Sequence, residues 1–503
     1  MGKYVLGIDN GGTVTKAALY DLKGNEVAVS SSKTEMVIPK PGFTERDSNE
    51  LWEANVQAIA AVVCKAGVDP NAIAAVATTG HGNGLYLTDE QGTPVYPGIY
   101  STDTRAQEYV NIWYANGTVD NVLPKIMQSI WAGQPVALLA WFRDHQPDVF
   151  QKTRWIFLCK DYIRYRLTGE AYAEITDMSG TSMMNVRDVM YDRELLQAYG
   201  IEAYEDLLPP LKYSAEICGY VTKETAEKTG LKEGTPVAGG LFDIDACGIA
   251  TGMTTDEKLC LVVGTWSINQ YISKTPIVSK SIFMTSLYCM PGYWLVLEGS
   301  PTSASNLEWF VTELLAEAKN IADEKGLSIY DLCNEWVAQV APEDSQVIFL
   351  PFLYGTNVEA DAKACFFGLK GWHHRSHLLR ALYEGVIFSH KTHIEKLLAF
   401  RDPPKAIRMT GGAARSRVWV QMFADVLQIP IEITTGTELG TLGAAICAGV
   451  ATKQFASFED AAEKMVKVAQ TYTPDPAKKD VYAKKYAAYR KTIETLAPLW
   501  KHL

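Results

Sequence analysis

Short apolar runs separated by glycine turns open the chain. Residues 4–8 form one such run, and a second resumes over residues 16–20 after the turn Asn10-Gly11-Gly12. Two strands on either side of a glycine-rich turn predict a β-hairpin. Apolar positions recur at helical spacing over residues 51–64, and residues 74–79 have the composition of a strand. We therefore expect a hairpin, a helix and a third strand in this order.

The alternation of strands, glycine turns and helices continues along the chain. Helical spacing over residues 160–167 stops at Gly169, a residue typical of helix C-termini. Further helices are predicted over residues 136–142, 377–397 and 418–427, strands over residues 236–241, 259–263, 347–351 and 407–409, and a helix-rich stretch over residues 458–500. Both halves repeat a strand, a glycine turn with a threonine and then mixed elements, so we expect two domains, residues 1–248 and 249–503.

The length and composition are those of a soluble globular protein with two domains. The chain has 503 residues, whereas single hydrophobic cores stop growing at about 250–300 residues. Hydrophobic residues make up 47% and charged residues 21%, which are ordinary proportions. The net charge of −11 disfavours nucleic acid and anionic membranes as partners.

Cysteine spacing and the length of the apolar runs together predict a cytoplasmic location. Nine cysteines are dispersed without a CxxC pair or a Cys/His cluster at zinc spacing, which is typical of reduced thiols. The N-terminal residues lack the basic and long apolar regions of a signal peptide. No apolar stretch reaches the ~18 residues that a spanning helix needs, so we expect no membrane partner.

Three glycine turns beside predicted strands carry the candidate chemistry. They are Asp9-Asn10-Gly11-Gly12-Thr13, Gly264-Thr265-Trp266-Ser267 and Thr410-Gly411-Gly412-Ala413. Backbone N–H groups at glycine can approach phosphate oxygens without a Cβ in the way, and threonine adds a hydroxyl donor. Asp9 offers the oxygen ligands that Mg²⁺ prefers. Each turn alone is more often structural, but the three together favour a nucleotide cleft between two domains.

The chain lacks GxxxxGK(S/T), which excludes a P-loop, and it lacks GxGxxG after a strand, so a dinucleotide Rossmann site is unsupported. An ordered set of further motifs lies at residues 42–47, 101–105, 160–170, 176–181, 239–243, 264–265, 298–310, 349–353, 380–390, 410–416 and 440–445. This set resembles the FGGY carbohydrate kinase family, and within it the branch that phosphorylates L-xylulose and 3-keto-L-gulonate. It implies an α/β fold of two actin-like (ribonuclease H-like) domains with an active-site cleft between them. It also implies a kinase of carbohydrate metabolism that uses ATP and Mg²⁺.

The resemblance places Asp243 at the position of the family's catalytic base. A sugar hydroxyl is a poor nucleophile, and a carboxylate can take its proton during phosphoryl transfer. Asp243 also stands where an aspartate often caps the following helix, so a structural role is the alternative. Asp9 is implied to be the Mg²⁺ ligand. Asp245 has no matching family role and is interpreted as a helix-start residue.

The resemblance also assigns residues to the nucleotide. The phosphate turns are matched at Gly11, Gly12, Thr13, Gly264 and Thr265, the adenosine segment at Gly411, Gly412 and Ala413 with Ser416 nearby, and a third nucleotide-side segment at Ser303 and Asn306. Helix capping is the alternative role for Ser416.

The sugar site is implied to include His81, Gly82, Asn83, Asp103 and Asp243. Asn83 takes the contact position where relatives carry histidine or lysine. An amide offers a donor and an acceptor but no charge, so a sugar acid would lose a cation partner worth roughly 1.5–3 kcal/mol. We therefore favour a neutral ketose, L-xylulose or a related ketopentose. A packed core histidine is the equal alternative for His81.

Other substrates and other classes of protein compete with this interpretation. Erythritol, D-ribulose, D-xylulose, 3-keto-L-gulonate and gluconate are the competing substrates. A non-catalytic actin-like sugar sensor would be expected to lose Asp9 or Asp243 or to gain a DNA-binding segment. An Hsp70-like ATPase would need a separate peptide-binding domain. Base rates of symmetric assembly make a homodimer the commonest oligomer to expect.

Overall fold

The computed structural model describes residues 2–359 and 361–502, which form two compact units. The first unit contains residues 2–254, 272–296 and 436–467, and the second contains the other described residues. Each unit combines a β-sheet with helices, so the predicted α/β class is confirmed. The first unit takes two of its three segments from the second half of the chain.

The first half of the chain begins with the predicted hairpin and ends in a short helix. Its elements are β1 (Tyr4–Asn10), β2 (Val14–Asp21), β3 (Glu26–Lys33), β4 (Glu45–Arg46), α1 (Ser48–Ala66), β5 (Ile73–Gly80), β6 (Tyr86–Thr88), β7 (Gly98–Ile99), α2 (Gln107–Ala115), α3 (Thr118–Ile126), α4 (Pro135–His145), β8 (Trp155–Phe157), α5 (Cys159–Thr168), β9 (Ala173–Glu174), α6 (Ile175–Ser179), β10 (Met184–Asn185), β11 (Met190–Tyr191), α7 (Arg193–Tyr199), β12 (Leu211–Lys212), β13 (Ile217–Tyr220), α8 (Lys223–Thr229), β14 (Pro236–Ala238), β15 (Leu241–Phe242) and α9 (Asp243–Ala250). The carboxylate of Asp47 caps α1 by accepting the N–H groups of Asn49 and Glu50.

The second half contains the longest helices. Its elements are β16 (Lys258–Val263), β17 (Ser267–Ser273), β18 (Met284–Leu287), β19 (Trp294–Ser300), α10 (Ser305–Leu314), α11 (Ala318–Glu324), α12 (Ile329–Ala338), β20 (Ile348–Leu350), β21 (Cys365–Phe367), α13 (Arg375–Leu398), β22 (Ala406–Thr410), α14 (Arg417–Leu427), β23 (Ile431–Thr434), α15 (Leu439–Ala451), α16 (Phe458–Met465), β24 (Val468–Tyr472) and α17 (Lys479–Trp500). Ser416 caps α14 by accepting the N–H of Trp419 at 3.1 Å, which is the capping role weighed for it from the sequence.

The sheet of the first unit is built around β1. Its strands run in the order β13-β14-β5-β1-β2-β3, with β15 paired to β5 as a branch. β1 pairs antiparallel with β2 and parallel with β5, and β5 is also parallel to β14 and β15. The carboxyl ends of β1, β5 and β15 therefore meet at one edge of this sheet.

Alternation along β1 gives its two faces different partners. Leu6 and Ile8 are fully buried in a core that includes Leu51 and Ile59 of α1. Gly7 faces the other way, and a Cβ on it would lie 1.8 Å from the backbone oxygen of Thr441 in α15. Successive strand residues point to opposite faces, so Asp9 lies on the α15 side.

The second unit has a sheet with a parallel centre. Five consecutive strands of this sheet run in the order β17-β16-β22-β23-β24. β16, β22 and β23 are parallel, whereas β17 and β24 pair antiparallel at the two sides. Because β16 pairs with β22 up to Val262 and Thr410, the turns that follow these two strands are neighbours.

The predicted hairpin, helices and most strands are confirmed, with two corrections. The strand predicted over residues 236–241 is broken at Gly239 and Gly240, whose N–H groups donate to the carbonyls of Glu216 and Ser214 instead of a strand partner. The helix-rich stretch over residues 458–500 contains the strand β24. Most side chains of β24 are exposed, so its sequence does not alternate between apolar and polar residues as a half-buried strand would. Among the described residues, no helix is long and apolar enough to cross a membrane.

Candidate active site

Two aspartates in the first unit lie at the carboxyl ends of β1 and β15, which both pair in parallel with β5. β5 is parallel to β1 and β15, with Asp9 opposite Thr79 and Phe242 opposite Gly80. Asp243 directly follows β15, so both carboxylates come to the same edge of the sheet. In open α/β sheets this edge is where ligands bind.

Asp243 has the properties of a general base near neutral pH. It is the first residue of α9, and Phe242 rather than Asp243 occupies the N-cap position. Burial, reinforced by repulsion from Asp9, raises the pKa of Asp243 to about 7, against the opposing effect of the N–H groups of Asp243 and Ile244. A carboxyl with a pKa near the working pH can accept a proton and release it again.

Asp9 offers a single carboxylate at this edge of the sheet. Burial raises the pKa of Asp9 to about 6, while Lys16 lowers it and Glu438 raises it. The described residues contain no group of three or more His, Cys, Asp or Glu side chains that could hold a metal. Mg²⁺ at phosphoryl-transfer sites usually takes one or two carboxylates and completes its shell with waters and phosphates. Asp9 therefore fits Mg²⁺ that arrives with a nucleotide.

Helix α15 approaches Asp9 so closely that residue 440 has no room for a side chain. A Cβ on Gly440 would lie 2.3 Å from Asp9 Oδ2 and 2.6 Å from its carboxyl carbon. Just before the helix, Glu438 pairs with Lys16 at 2.6 Å. The position of the Asp9 carboxylate is thus set by a segment far away in the sequence.

We expect Gly440→Ala to lower kcat by about 10²-fold, because a carboxylate displaced by 1 Å can cost that much. Steady-state kinetics at saturating substrates would measure the change. Gly436→Ala is the matched control, since its Cβ would meet only the flexible tips of Leu439 and Leu442. A Gly440→Ala enzyme with the kcat of the wild type would show that the position of Asp9 does not matter.

A cavity of about 670 Å³ lies in the second unit, beside the turns that follow β16 and β22. Its volume suits a small-molecule ligand. Five of the predicted nucleotide residues line it, namely Gly264, Thr265, Gly412, Ala413 and Ser416. The structure therefore brings the second and third glycine turns together in one cavity.

Three other residues that were predicted to bind the nucleotide hold these turns in position through hydrogen bonds and close packing. Ser303 donates its N–H to the carbonyl of Thr265 at 2.9 Å, and Asn306 Nδ2 donates to the carbonyl of Ser303 at 2.8 Å. Gly411 has a φ of +93°, and a Cβ on it would lie 2.5 Å from the carbonyl oxygen of Val263. The close approach of the two turns thus requires glycine at this position.

Aromatic and amide side chains, for which the sequence predicted no ligand role, form one wall of the cavity. The rings of Tyr383 and Trp419 stack with centroids 4.1 Å apart. Asn334 Oδ1 accepts hydrogen bonds from the hydroxyls of Tyr383 at 3.0 Å and Ser416 at 2.6 Å, which fixes the orientation of its amide. Because the two rings stack on each other and are almost fully buried, they form a fixed wall beside the oriented amide. Tyrosine and tryptophan at helical spacing read as core residues, so periodicity could not single them out.

A buried histidine on α13 holds Ser303 in place. His390 Nδ1 is 2.8 Å from Asn269 Oδ1, and His390 Nε2 is 2.9 Å from Ser303 Oγ. The amide oxygen can only accept, so Nδ1 carries the proton and Ser303 donates to Nε2. Burial lowers the pKa of His390 to about 3, which keeps the ring neutral.

A second histidine one turn along α13 has a similar structural role. His393 Nδ1 is 2.9 Å from Glu298 Oε2, and His393 Nε2 is 2.8 Å from Ser300 Oγ. This order of groups is that of a Ser-His-Glu hydrolase triad. Ser300 is only 1% exposed, however, and its Oγ already accepts the N–H of Asn357 at 3.1 Å. The arrangement therefore fixes a strand end and does not form a nucleophile.

On the predicted sugar side, His81 is packed between tyrosines. Its Nε2 is 2.9 Å from the Tyr86 hydroxyl, and its ring stacks on Tyr100 with centroids 5.0 Å apart. Burial lowers the pKa of His81 to about 3, so the ring is neutral. These contacts are those of the packed-histidine alternative, and a substrate contact by His81 stays a prediction.

Asn83 lies beside the segment that carries Asp243. It is buried with a φ of +58°, and its Oδ1 accepts no hydrogen bond within the described residues. A Cβ on Gly82 would lie 2.0 Å from the Phe242 ring, and one on Gly180 would lie 3.4 Å from that ring and 3.7 Å from Asn83 Nδ2. A buried acceptor without a donor costs about 1–3 kcal/mol. A ligand hydroxyl would remove this cost.

Asp103 already has partners for both carboxylate oxygens. Arg105 donates its Nε to Oδ1 at 2.9 Å and its Nη2 to Oδ2 at 2.8 Å. Oδ2 also accepts the N–H of Thr44 at 2.7 Å. Arg105 in turn pairs with Glu45 at 2.7 Å. These bonds hold the segment after β7 against β4, and a substrate contact by Asp103 stays a prediction.

Comparison with known proteins identifies the family of the chain. Residues 4–249 match the model of the N-terminal domain of the FGGY family of carbohydrate kinases, and residues 259–452 match that of its C-terminal domain. The chain is 36% identical over 497 residues to an L-xylulose/3-keto-L-gulonate kinase from Escherichia coli, covering 99% of this chain and 98% of that protein.

Solved structures show the same fold. A xylulose kinase from Rhodospirillum rubrum has a TM-score of 0.88 at 27% identity, covering 99% of this chain and 100% of that chain. A xylulose kinase from Lactobacillus acidophilus has a TM-score of 0.91 at 23% identity, covering 99% of each chain. The protein belongs to the FGGY family of carbohydrate kinases.

Proposed function

We propose that this carbohydrate kinase transfers the γ-phosphate of ATP to a hydroxyl of a small ketose, with L-xylulose or a related ketopentose preferred. The observation that carries the substrate class is the buried, unpartnered Oδ1 of Asn83, a neutral acceptor for a sugar hydroxyl. The Escherichia coli relative is named for both L-xylulose and 3-keto-L-gulonate, and the uncharged acceptor favours the first of these. The alternatives are other polyols, other ketoses and sugar acids.

The proposed reaction needs a general base and several groups that donate hydrogen bonds to the phosphates. Asp243 takes the proton of the attacking sugar hydroxyl while the hydroxyl oxygen bonds to the γ-phosphorus of ATP. The bond between the γ-phosphorus and the β–γ bridging oxygen breaks, and ADP leaves. Mg²⁺ bound at Asp9 would neutralise charge on the phosphate oxygens. Residues 1–248 would bind the sugar and carry the base, and residues 249–503 would bind the nucleotide.

The proposal assigns the remaining residues by their surroundings. The hairpin Gly11, Gly12 and Thr13 and the turns Gly264, Thr265, Gly412 and Ala413 would donate to phosphate oxygens. Ser416 would lie beside the adenine of the nucleotide, and Ser303, Asn306 and Gly411 would shape the cavity. Asn83 would contact the sugar, together with His81, Gly82 and Asp103.

The test is ATP consumption by the purified protein with Mg²⁺ and a panel of ketopentoses, polyols and sugar acids. Turnover mainly on L-xylulose or another ketopentose is expected. Turnover mainly on a sugar acid would contradict the neutral site at Asn83. Preference for a non-ketose polyol would contradict the ketose assignment.

The rate is also expected to depend on pH through Asp243. The base acts only when deprotonated, and burial and Asp9 raise its pKa to about 7. The value of kcat/KM for the sugar should therefore be level above this pH and fall about tenfold per unit well below it. A pH profile that stays flat from about pH 5 to 9 would contradict the role of Asp243 as base.

A further inference from the structure

We propose that Arg46 is a positioning residue for the phosphate-binding hairpin, an inference that rests on the proposed function of residues 11–13. Arg46 is 1% exposed and ends strand β4. β4 pairs antiparallel with β7, with Arg46 opposite Gly98. Tyr100 follows β7 directly, so one short ribbon presents both the guanidinium and the phenol to the hairpin.

The guanidinium and the phenol occupy the carbonyl oxygens of the hairpin. Arg46 Nη2 donates to the carbonyl of Gly11 at 3.0 Å and also to that of Gly12. The Tyr100 hydroxyl donates to the carbonyl of Gly12 at 2.5 Å and accepts from Arg46 Nε. These two carbonyls are therefore turned toward the protein.

Turning the carbonyls inward turns the next N–H groups outward. In a trans peptide the C=O of one residue and the N–H of the next point in opposite directions, and the described residues contain no cis peptide. The N–H groups of Gly12 and Thr13 thus point away from Arg46 at an exposed tip. Neither donates a hydrogen bond to another described residue. Adjacent outward N–H groups form a concave site for an anion.

The charge of Arg46 adds a second, independent argument. Arginine stays protonated in proteins, yet no carboxylate among the described residues forms an ion pair with Arg46, and its Nη1 has no hydrogen-bond partner there. The neighbouring Glu45 is paired with Arg105 instead. A buried cation without a counter-charge is costly, and a phosphate bound at the hairpin would offset that cost. The site therefore favours the anionic part of the nucleotide.

The test separates the phosphates from the rest of the nucleotide by measuring the affinities of the full-length protein for MgATP and for adenosine by calorimetry. Arg46→Gln is expected to weaken MgATP binding by about 10- to 100-fold, the range for lost charge-assisted bonds, and to leave adenosine binding unchanged. Tyr100→Phe removes one donor and should weaken only MgATP binding, by a few-fold. Arg143→Gln is the matched control, because Arg143 is an arginine whose carboxylate partner is the adjacent surface residue Asp144.

A variant of the hairpin distinguishes failure of this inference from failure of the proposed function. A Cβ on Gly12 would meet nothing within 4 Å, so Gly12→Val should fold but obstruct an approaching phosphate. If Gly12→Val weakens MgATP binding and Arg46→Gln does not, Arg46 does not position the hairpin. If neither does, residues 11–13 do not bind phosphate. Should Arg46→Gln fail to fold, unchanged MgATP binding by Tyr100→Phe would overturn the inference.

Discussion

Asp243→Asn is expected to lower kcat by about 10²–10⁴-fold while MgATP still binds, because the amide keeps the shape of the carboxylate but cannot take a proton. Burial and the nearby Asp9 charge raise the pKa of Asp243 to about 7, so the wild-type carboxylate is suited to act as a base near neutral pH. Steady-state kinetics with the preferred sugar and calorimetry with MgATP would measure the two effects separately.

Asp245→Asn is the matched control on the same helix. Asp245 is buried, and its Oδ1 accepts the N–H of Cys289 at 3.0 Å, so the sequence-based interpretation as a plain helix-start residue misses its contact. Burial raises the pKa of Asp245 well above the usual range, so an amide is a close substitute for the protonated acid. Its kcat should stay within a few-fold of the wild type. An Asp243→Asn enzyme with unchanged kcat would remove Asp243 from its proposed role.

Asp9→Ala is expected to give the second largest effect, a loss of about 10²–10³-fold in turnover at moderate Mg²⁺ concentration, which is the usual cost of removing one group that stabilises charge in the transition state. Because the variant lacks a ligand, its activity should also need more Mg²⁺ to reach half of its maximum. A Mg²⁺ titration of kcat at fixed ATP would show both changes.

Glu438→Gln tests whether the effect belongs to Asp9 itself. Glu438 pairs with Lys16 at 2.6 Å, and its charge raises the pKa of Asp9. Its Mg²⁺ titration should resemble that of the wild type. If Asp9→Ala also gave the wild-type curve, the metal would have to be held elsewhere.

The sequence predicted those parts of the fold that depend on neighbours along the chain. The hairpin of β1 and β2 follows from two apolar runs and a glycine turn, and the end of α5 follows from Gly169, which takes a left-handed conformation. The packing of Gly440 against Asp9 could not be read in this way. It joins residues at opposite ends of the chain, and a glycine inside a helix carries no sign of its distant partner.

Some residues of the candidate site could likewise be predicted from the sequence, and others could not. The glycine turns at Gly264 and Gly412 were found because backbone approach to phosphate restricts the residue type, and both line the cavity in the second unit. Asn334 lines it too, but an isolated asparagine within a helix has many other uses. The sequence indicated Arg46 only as part of a family motif. Its contacts are to backbone carbonyls, which every residue has, so no residue type in the sequence predicts them.

The placement of α15 has a consequence for synthesis in the cell. The face of β1 that holds Gly7 stays bare until residue 441 has left the ribosome, since α15 is what covers it. At roughly 5–20 residues per second, a nascent sheet completed by β15 would wait roughly 10–40 s for residue 441, with apolar surface open to water. Truncation anywhere before α15 would leave that surface permanently uncovered. We therefore expect the nascent chain to depend on chaperones until translation is nearly finished.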